Sequence, residues 1–143
     1  MTNAGAEATD GTLTPREGFM LQNAPMYSYI PAKDVARARK FYEETLGFKP
    51  KEVTAAGVVY EFGKGTACFL YQTPNAGTSR ASQAFWQVED IEQEVADLVA
   101  RGVKFEKYGI PDMDERGIST GGGAKAAWFK DTEGNIMAVI QSL

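Results

Sequence analysis

The chain has 143 residues, 15 Lys+Arg against 19 Asp+Glu, a formal net charge of -4 and no histidine. The acidic balance, with a pI near 4.9, argues against nucleic-acid binding, which needs a basic face, and no uncharged run is long enough to span a bilayer. The missing histidine excludes a Ser-His-Asp triad, a Cys-His pair and an imidazole base; with a single cysteine, Cys68, it also excludes the usual zinc sites.

Residues 1–24 carry little periodic apolar pattern and no basic and apolar leader, so they read as a flexible arm rather than a signal peptide. Phe19, Met20 and Leu21 are candidates to anchor its end. One cysteine cannot close an intramolecular disulfide, which fits a cytoplasmic setting. The structured part, 25–143, reads as a single domain. MYSYI, 26–30, alternates in the manner of a strand that Pro31 ends. Asp34 then stands as N-cap to a helix over 35–46, with Val35, Ala38, Phe41, Tyr42 and Leu46 at helical spacing and Gly47 just past its end. Three strands follow over 51–56, 57–62 and 66–73, the last two joined by a hairpin through Gly63 and Gly65. Residues 74–82 form a turn-rich linker.

The pattern then restarts. QAFWQV, 83–88, is a strand; Asp90 caps a helix over 91–101 with Ile91, Val95, Leu98 and Val99 on one face; Gly102 ends it; 103–108 reads as a strand. A polar loop covers 109–123, and AKAAWF, 124–129, and NIMAVIQ, 135–141, close a hairpin through KDTEG. Asp34 and Asp90 hold equivalent places, and LGFK matches RGVK at the helix exits. The chain therefore reads as an internal duplication, two βαβββ units over 25–74 and 82–143 that together make a curved mixed sheet with helices outside and a concave inner face: an α+β fold. Neither half is large enough to bury its own helix and sheet well.

IPAKDVARARKFYEETLGFK resembles the opening of the glyoxalase/bleomycin-resistance/dioxygenase group, the vicinal oxygen chelate superfamily. AAWFKDTEGNIMAVIQ resembles that group's closing hairpin, with Thr132 where proline is usual. The resemblance implies the duplicated fold over 26–142 and says little about reaction, because the group holds metal-dependent isomerases, thiol transferases, ring-cleaving dioxygenases and metal-free drug-binding proteins. Metal-binding members place His, Gln or Glu on the first and last strand of each unit. Carried over position by position, those places fall on Tyr27, Tyr71, Gln83 and Ala138, with Glu61 and Gln87 the nearest alternatives. Only Gln83 is a plausible ligand, and one neutral amide does not hold a divalent ion against water. The resemblance thus implies the usual site with no metal and no cofactor in it, and it implies a homodimer, since single-chain members of this size build a site from both subunits.

Strand parity gives a separate view of the concave face. It collects Tyr27 and Tyr29; Phe69 and Tyr71; Gln83, Phe85 and Gln87; and Ile136, Ala138 and Ile140, with Tyr60 and Trp128 as further walls. Alternating aromatics either fill a core or line a pocket. Three tyrosine hydroxyls and two amides on one face are costly to bury dry, which favours a pocket for a planar or amphipathic organic ligand. The loop 109–123 carries Asp112, Glu115 and Arg116, which read either as a lid or as a solvated surface. The opposite parity, Met26, Ser28 and Ile30; Cys68 and Leu70; Ala84, Trp86 and Val88; and Met137 and Val139, is mainly apolar and faces the helices, the setting of an inert thiol at Cys68.

Three functions compete. The first is a metal-free protein that binds a small organic ligand, including drug sequestration. The second is a metal-independent isomerase, cyclase or lyase that uses Tyr27 or Tyr71 as acid and Glu61 or Asp112 as base. The third is a metal-dependent glyoxalase-like enzyme. No nucleic-acid or membrane partner is expected.

Overall fold

The computed structural model describes residues 6–8, 13–15 and 20–143. Of the arm read over 1–24, residues 1–5, 9–12 and 16–19, Phe19 among them, lie outside the described residues. Two short strands, β1 (Ala6–Ala8) and β2 (Leu13–Pro15), pair antiparallel. A 3-10 turn at Leu21–Asn23 then leads in with Met20 and Leu21 exposed.

The first unit runs β3 (Tyr27–Ala32), α1 (Val35–Lys40), β4 (Pro50–Val53), β5 (Val58–Glu61) and β6 (Ala67–Gln72). Its sheet has the order β3-β6-β5-β4, with β3 parallel to β6 and the other pairs antiparallel. β3 passes through Pro31 instead of ending there. The missing N–H is harmless because β3 is an edge strand, and the Pro31 carbonyl accepts from Asn135 Nδ2 at 2.8 Å. Asp34, in extended backbone, caps α1 by accepting from Arg37 N at 3.1 Å. The helix read over 35–46 is not uniform: after Lys40 it widens into a π turn over Phe41–Thr45, marked by Leu46 N donating to Phe41 O at 3.0 Å. The consecutive aromatics both reach inward there, Phe41 toward Phe129 and Tyr42 to full burial.

The second unit runs β7 (Ala84–Gln87), α2 (Ile91–Ala100), β8 (Ser119–Gly121), β9 (Ala124–Lys130) and β10 (Ile136–Ser142). The order β7-β10-β9-β8, again with one parallel pair, repeats the first unit's topology. The strand read over 103–108 is absent. Phe105 makes a single bridge to Phe129, and β8, inside what reads as loop, pairs instead with the far end of β9. The partner of β9 is thus split in two, with an excursion of the chain between its parts. Asp90 caps α2 through Gln93 N at 3.2 Å, and Gln141 Oε1 accepts from Ile91 N at 2.9 Å.

Each unit keeps its own four-stranded ladder, and one hydrophobic core joins them. Ile30, Leu70 and Cys68 from one sheet, Met137, Val139 and Phe129 from the other, and Tyr42 and Val95 from the helical segments belong to it. Met26, placed by parity on this face, precedes β3 and is exposed. Phe48, Phe62 and Trp86 extend the core across the boundary, with ring centroids 5.1–5.7 Å apart.

The turn between β9 and β10 locks the halves. Asp131 Oδ1 accepts from the backbone N–H of Glu133 and of Asn135, both at 2.9 Å, and its Oδ2 accepts from Asn135 Nδ2 at 2.8 Å and from the buried hydroxyl of Tyr42. Glu133, its side chain wholly buried, accepts from Lys33 N at 2.9 Å and Asp34 N at 3.0 Å, and pairs with the Arg37 guanidinium at 2.8 Å. The second unit's turn therefore caps the first unit's helix. Gly77 approaches so closely that a Cβ there would lie 2.4 Å from Glu133 O, and its φ of +75 is one that glycine adopts freely.

Candidate functional site

On the face opposite the core, β3 and β6 stand in register with Tyr29 beside Phe69 and Pro31 beside Tyr71. The Tyr29 and Tyr71 rings tilt against each other at 4.7 Å, and Phe69 meets Tyr29 edge-on at 6.3 Å. Gln83, just before β7, reaches across from the second unit, its Nε2 donating to the Tyr29 carbonyl at 3.2 Å. Tyr29, Tyr71 and Gln83 line one cavity of about 270 Å³, whose other side is the 73–79 turn and Asn135.

That turn is built by its own side chains. Thr73 Oγ1 accepts from Asn75 N at 3.2 Å, Thr78 Oγ1 donates to Asn75 O at 2.7 Å, and Gly77 N donates to Asn135 Oδ1 at 3.2 Å. Asn135 thus serves both the lock between units and the cavity wall. Thr73, Asn75, Thr78, Ser79 and Asn135 escape a reading from parity because they lie in a linker and a turn. The visible signal is the run of Thr, Asn, Gly and Ser, residues whose side chains fold back on nearby backbone.

The cavity is chemically neutral. Its lining has tyrosine rings at one side and hydroxyls and amides at the other, with no Lys, Arg, Asp or Glu among the lining residues. The groups with shifted acidity lie elsewhere. Burial pushes the hydroxyls of Tyr42 and Tyr60 up, Arg39 holds Glu43 down, and burial raises the Cys68 thiol to about 11. The carboxylates read as possible bases are also elsewhere. Glu61 pairs with Lys51 at 3.2 Å, and Asp112 lies beside β8 with its carbonyl bound to Thr120 N.

The remaining positions divide as follows. Tyr27 is on the same face of β3 but opposite Ala67, four residues along β6 from Tyr71, roughly 13 Å at strand spacing. Phe85, Ala138 and Trp128 form one cross-strand row on the second sheet; Phe85 is 57% exposed, Ala138 is buried, and Trp128 packs on Tyr108 at 5.8 Å. Tyr60 does not join this face. Its register partner is Cys68, so it points into the core beside Tyr42 and Phe48 and donates to Glu43 Oε2 at 2.9 Å. Glu115 and Arg116 line a separate groove against α2, where Arg116 pairs with Asp114 at 2.8 Å, and neither is among the residues lining the tyrosine cavity.

The places where metal-binding relatives keep ligands do not form a donor set here. Ala138 has no ligating side-chain atom, Tyr27 and Tyr71 sit at opposite ends of their strand pair, and Gln83, whose Nε2 donates to Tyr29 O, brings a single neutral amide oxygen. Among the described residues no cluster of three or more Asp, Glu, Cys or His side chains stands ready for a metal ion. No helix among them is long and apolar enough to cross a membrane.

A model of the glyoxalase/bleomycin resistance protein/dioxygenase superfamily matches residues 24–139. No match was found among curated proteins. Among solved structures, TnmS3, an antibiotic binding protein from Streptomyces sp. CB03234, aligns with a TM-score of 0.66 at 22% identity over 87% of this chain and 99% of its own. UcmS2 aligns at 0.66 and 17% over 82% and 96%, and a glyoxalase/bleomycin resistance protein from Catenulispora acidiphila DSM 44928 at 0.64 and 20% over 83% and 98%. At these identities the likeness establishes the fold.

Proposed function

Because the chain belongs to the glyoxalase/bleomycin resistance protein/dioxygenase superfamily, we propose that it is one of the superfamily's metal-free binding proteins, taking a planar or amphipathic organic molecule on its tyrosine-lined face. The observation that carries this reading is the cavity between Tyr29, Tyr71 and Gln83, which offers aromatic surface and neutral hydrogen-bonding groups and no titratable acid–base pair. Tilted rings suit a planar ligand edge or face. The amides and hydroxyls suit carbonyl and hydroxyl groups on its rim.

A cavity of about 270 Å³ holds only part of a drug-sized molecule. The rest extends over Tyr27 and Phe85, both exposed in the single chain. A homodimer burying that aromatic face completes the pocket, and the lone, buried Cys68 suits the cytoplasm. Drug sequestration is the specific form of binding we favour, supported by the shared fold of an antibiotic binding protein.

Equilibrium dialysis against a panel of planar amphipathic compounds tests the proposal. Binding that Tyr71→Ala weakens at least tenfold is expected. No binding across the panel, or binding indifferent to Tyr71, refutes it, and stoichiometric nickel, zinc, manganese or iron in protein purified without chelator refutes its metal-free part.

A further inference from the structure

A second and larger cavity, about 570 Å³, opens beside the turn between β5 and β6 and along β7. It shares no lining residue with the tyrosine cavity. Ile30, Phe62, Trp86 and Met137 give it apolar walls, with strand parity that faces the core. Trp86 is a fixed wall: it meets Phe62 edge-on at 5.7 Å and stacks on Phe129 at 6.3 Å. The volume lies within the usual range for small-molecule pockets.

Two charged side chains line this cavity, Lys64 and Glu89. Both are exposed, and neither forms an ion pair with any described residue. Lys64 also sits at φ 59, ψ 29, in the left-handed region, between Gly63 and Gly65. A side chain at such a φ carries a conformational cost that a third glycine would avoid.

We infer that this cavity binds a small amphipathic zwitterion, its apolar body against Phe62 and Trp86, its carboxylate on the Lys64 ammonium and its ammonium on the Glu89 carboxylate. A ligand of one sign satisfies one of these groups and faces repulsion or desolvation at the other. A zwitterion with an apolar side chain, of the kind a large hydrophobic amino acid presents, matches both charges and the walls between them. This site is separate from the tyrosine cavity, with which it shares no lining residue, and its one link to the function proposed there is Phe85, which lines it as well.

The test is equilibrium dialysis of the full chain against L-tryptophan, with tryptamine, which lacks the carboxylate, and N-acetyl-L-tryptophan, which lacks the ammonium. Tryptophan is expected to bind, and each analogue to bind about three- to fivefold more weakly, the worth of one partly exposed ion pair. Lys64→Gly adopts the turn without strain and so keeps the fold. It should lower tryptophan binding to the level of tryptamine and leave tryptamine unchanged. Glu89→Gln should do the same with respect to N-acetyl-L-tryptophan. Tyr71→Ala should leave tryptophan binding as in the parent chain, which separates failure here from failure of the tyrosine site. The inference is overturned if tryptophan, phenylalanine and leucine all fail to bind at millimolar concentration, if the analogues bind as well as tryptophan, or if Lys64→Gly and Glu89→Gln bind it unchanged.

Discussion

Replacing Glu133 by glutamine keeps the shape of the turn between β9 and β10 and removes one buried charge. In the folded chain the Arg37 guanidinium, two backbone N–H groups and Thr132 act on this carboxyl and together outweigh its burial, holding it down to about 2. Against an ordinary glutamate near 4.5, the gap corresponds to about 3 kcal/mol of stability at neutral pH. Arg37 is 52% exposed, so solvent screens its share, and about 2 kcal/mol is the figure to expect. The sign follows from a lowered acidity constant. The contribution is complete above the unfolded value near 4.5 and drains away as pH falls toward 2. Urea unfolding followed by circular dichroism at pH 7 should show Glu133→Gln less stable by about 2 kcal/mol, a midpoint lower by roughly 1 M for a chain of this size. At pH 3 the two proteins should have drawn closer, because the parent has by then lost part of what the variant lacks. If the two unfolding curves stay parallel between pH 7 and pH 3, or if the variant loses less than about 0.5 kcal/mol at pH 7, Glu133 is not the electrostatic lock described above.

Gly77→Ala should destabilise the fold by more than about 2 kcal/mol, since it adds both a left-handed φ penalty and a Cβ against Glu133 O; it should also weaken any ligand held at Tyr29 and Tyr71, because the same turn walls that cavity, and thermal unfolding with parallel dialysis reads both. Cys68 should resist a disulfide reagent at pH 7.5 in the folded chain and react fully in urea, because it is buried and its thiol is raised to about 11; rapid reaction in the native state would place it at the surface.

Much of the architecture is legible in local chemistry. Asp34 and Asp90 cap helices because an aspartate before an amphipathic run is the cheapest way to satisfy the first amide groups, and both caps form. Strand parity separates Ile30, Leu70, Met137 and Val139, which are buried, from Tyr29 and Phe85, which are not. It fails at Tyr60, because parity orders residues within a strand and says nothing about which face a neighbouring strand presents until the register is known. The pairing of Tyr60 with Cys68 sends that ring into the core. The tyrosine cavity is half legible: Tyr29 and Tyr71 lie on strands and Gln83 just before one, in the alternation the sequence shows, whereas Asn75, Thr78 and Asn135 arrive through turns whose placement depends on contacts far along the chain. The closing D-T-E-G-N turn is visible as a pattern, but its task of capping a helix in the other half is a tertiary fact. Nothing local to either segment specifies it.

That cap also constrains the order in which the protein can be assembled. The bonds from Glu133 to Lys33 and Asp34, and from Asn135 to Pro31, close loops of 99 to 104 residues. During synthesis the first unit emerges with the start of α1 lacking its partner, and it stays so until the last hairpin has left the ribosome. Such distant closures are slow relative to local helix and hairpin formation. Docking of the β9–β10 hairpin onto the first half is therefore expected to come late in folding, and a nascent chain stalled short of residue 131 should remain open to proteases and chaperones.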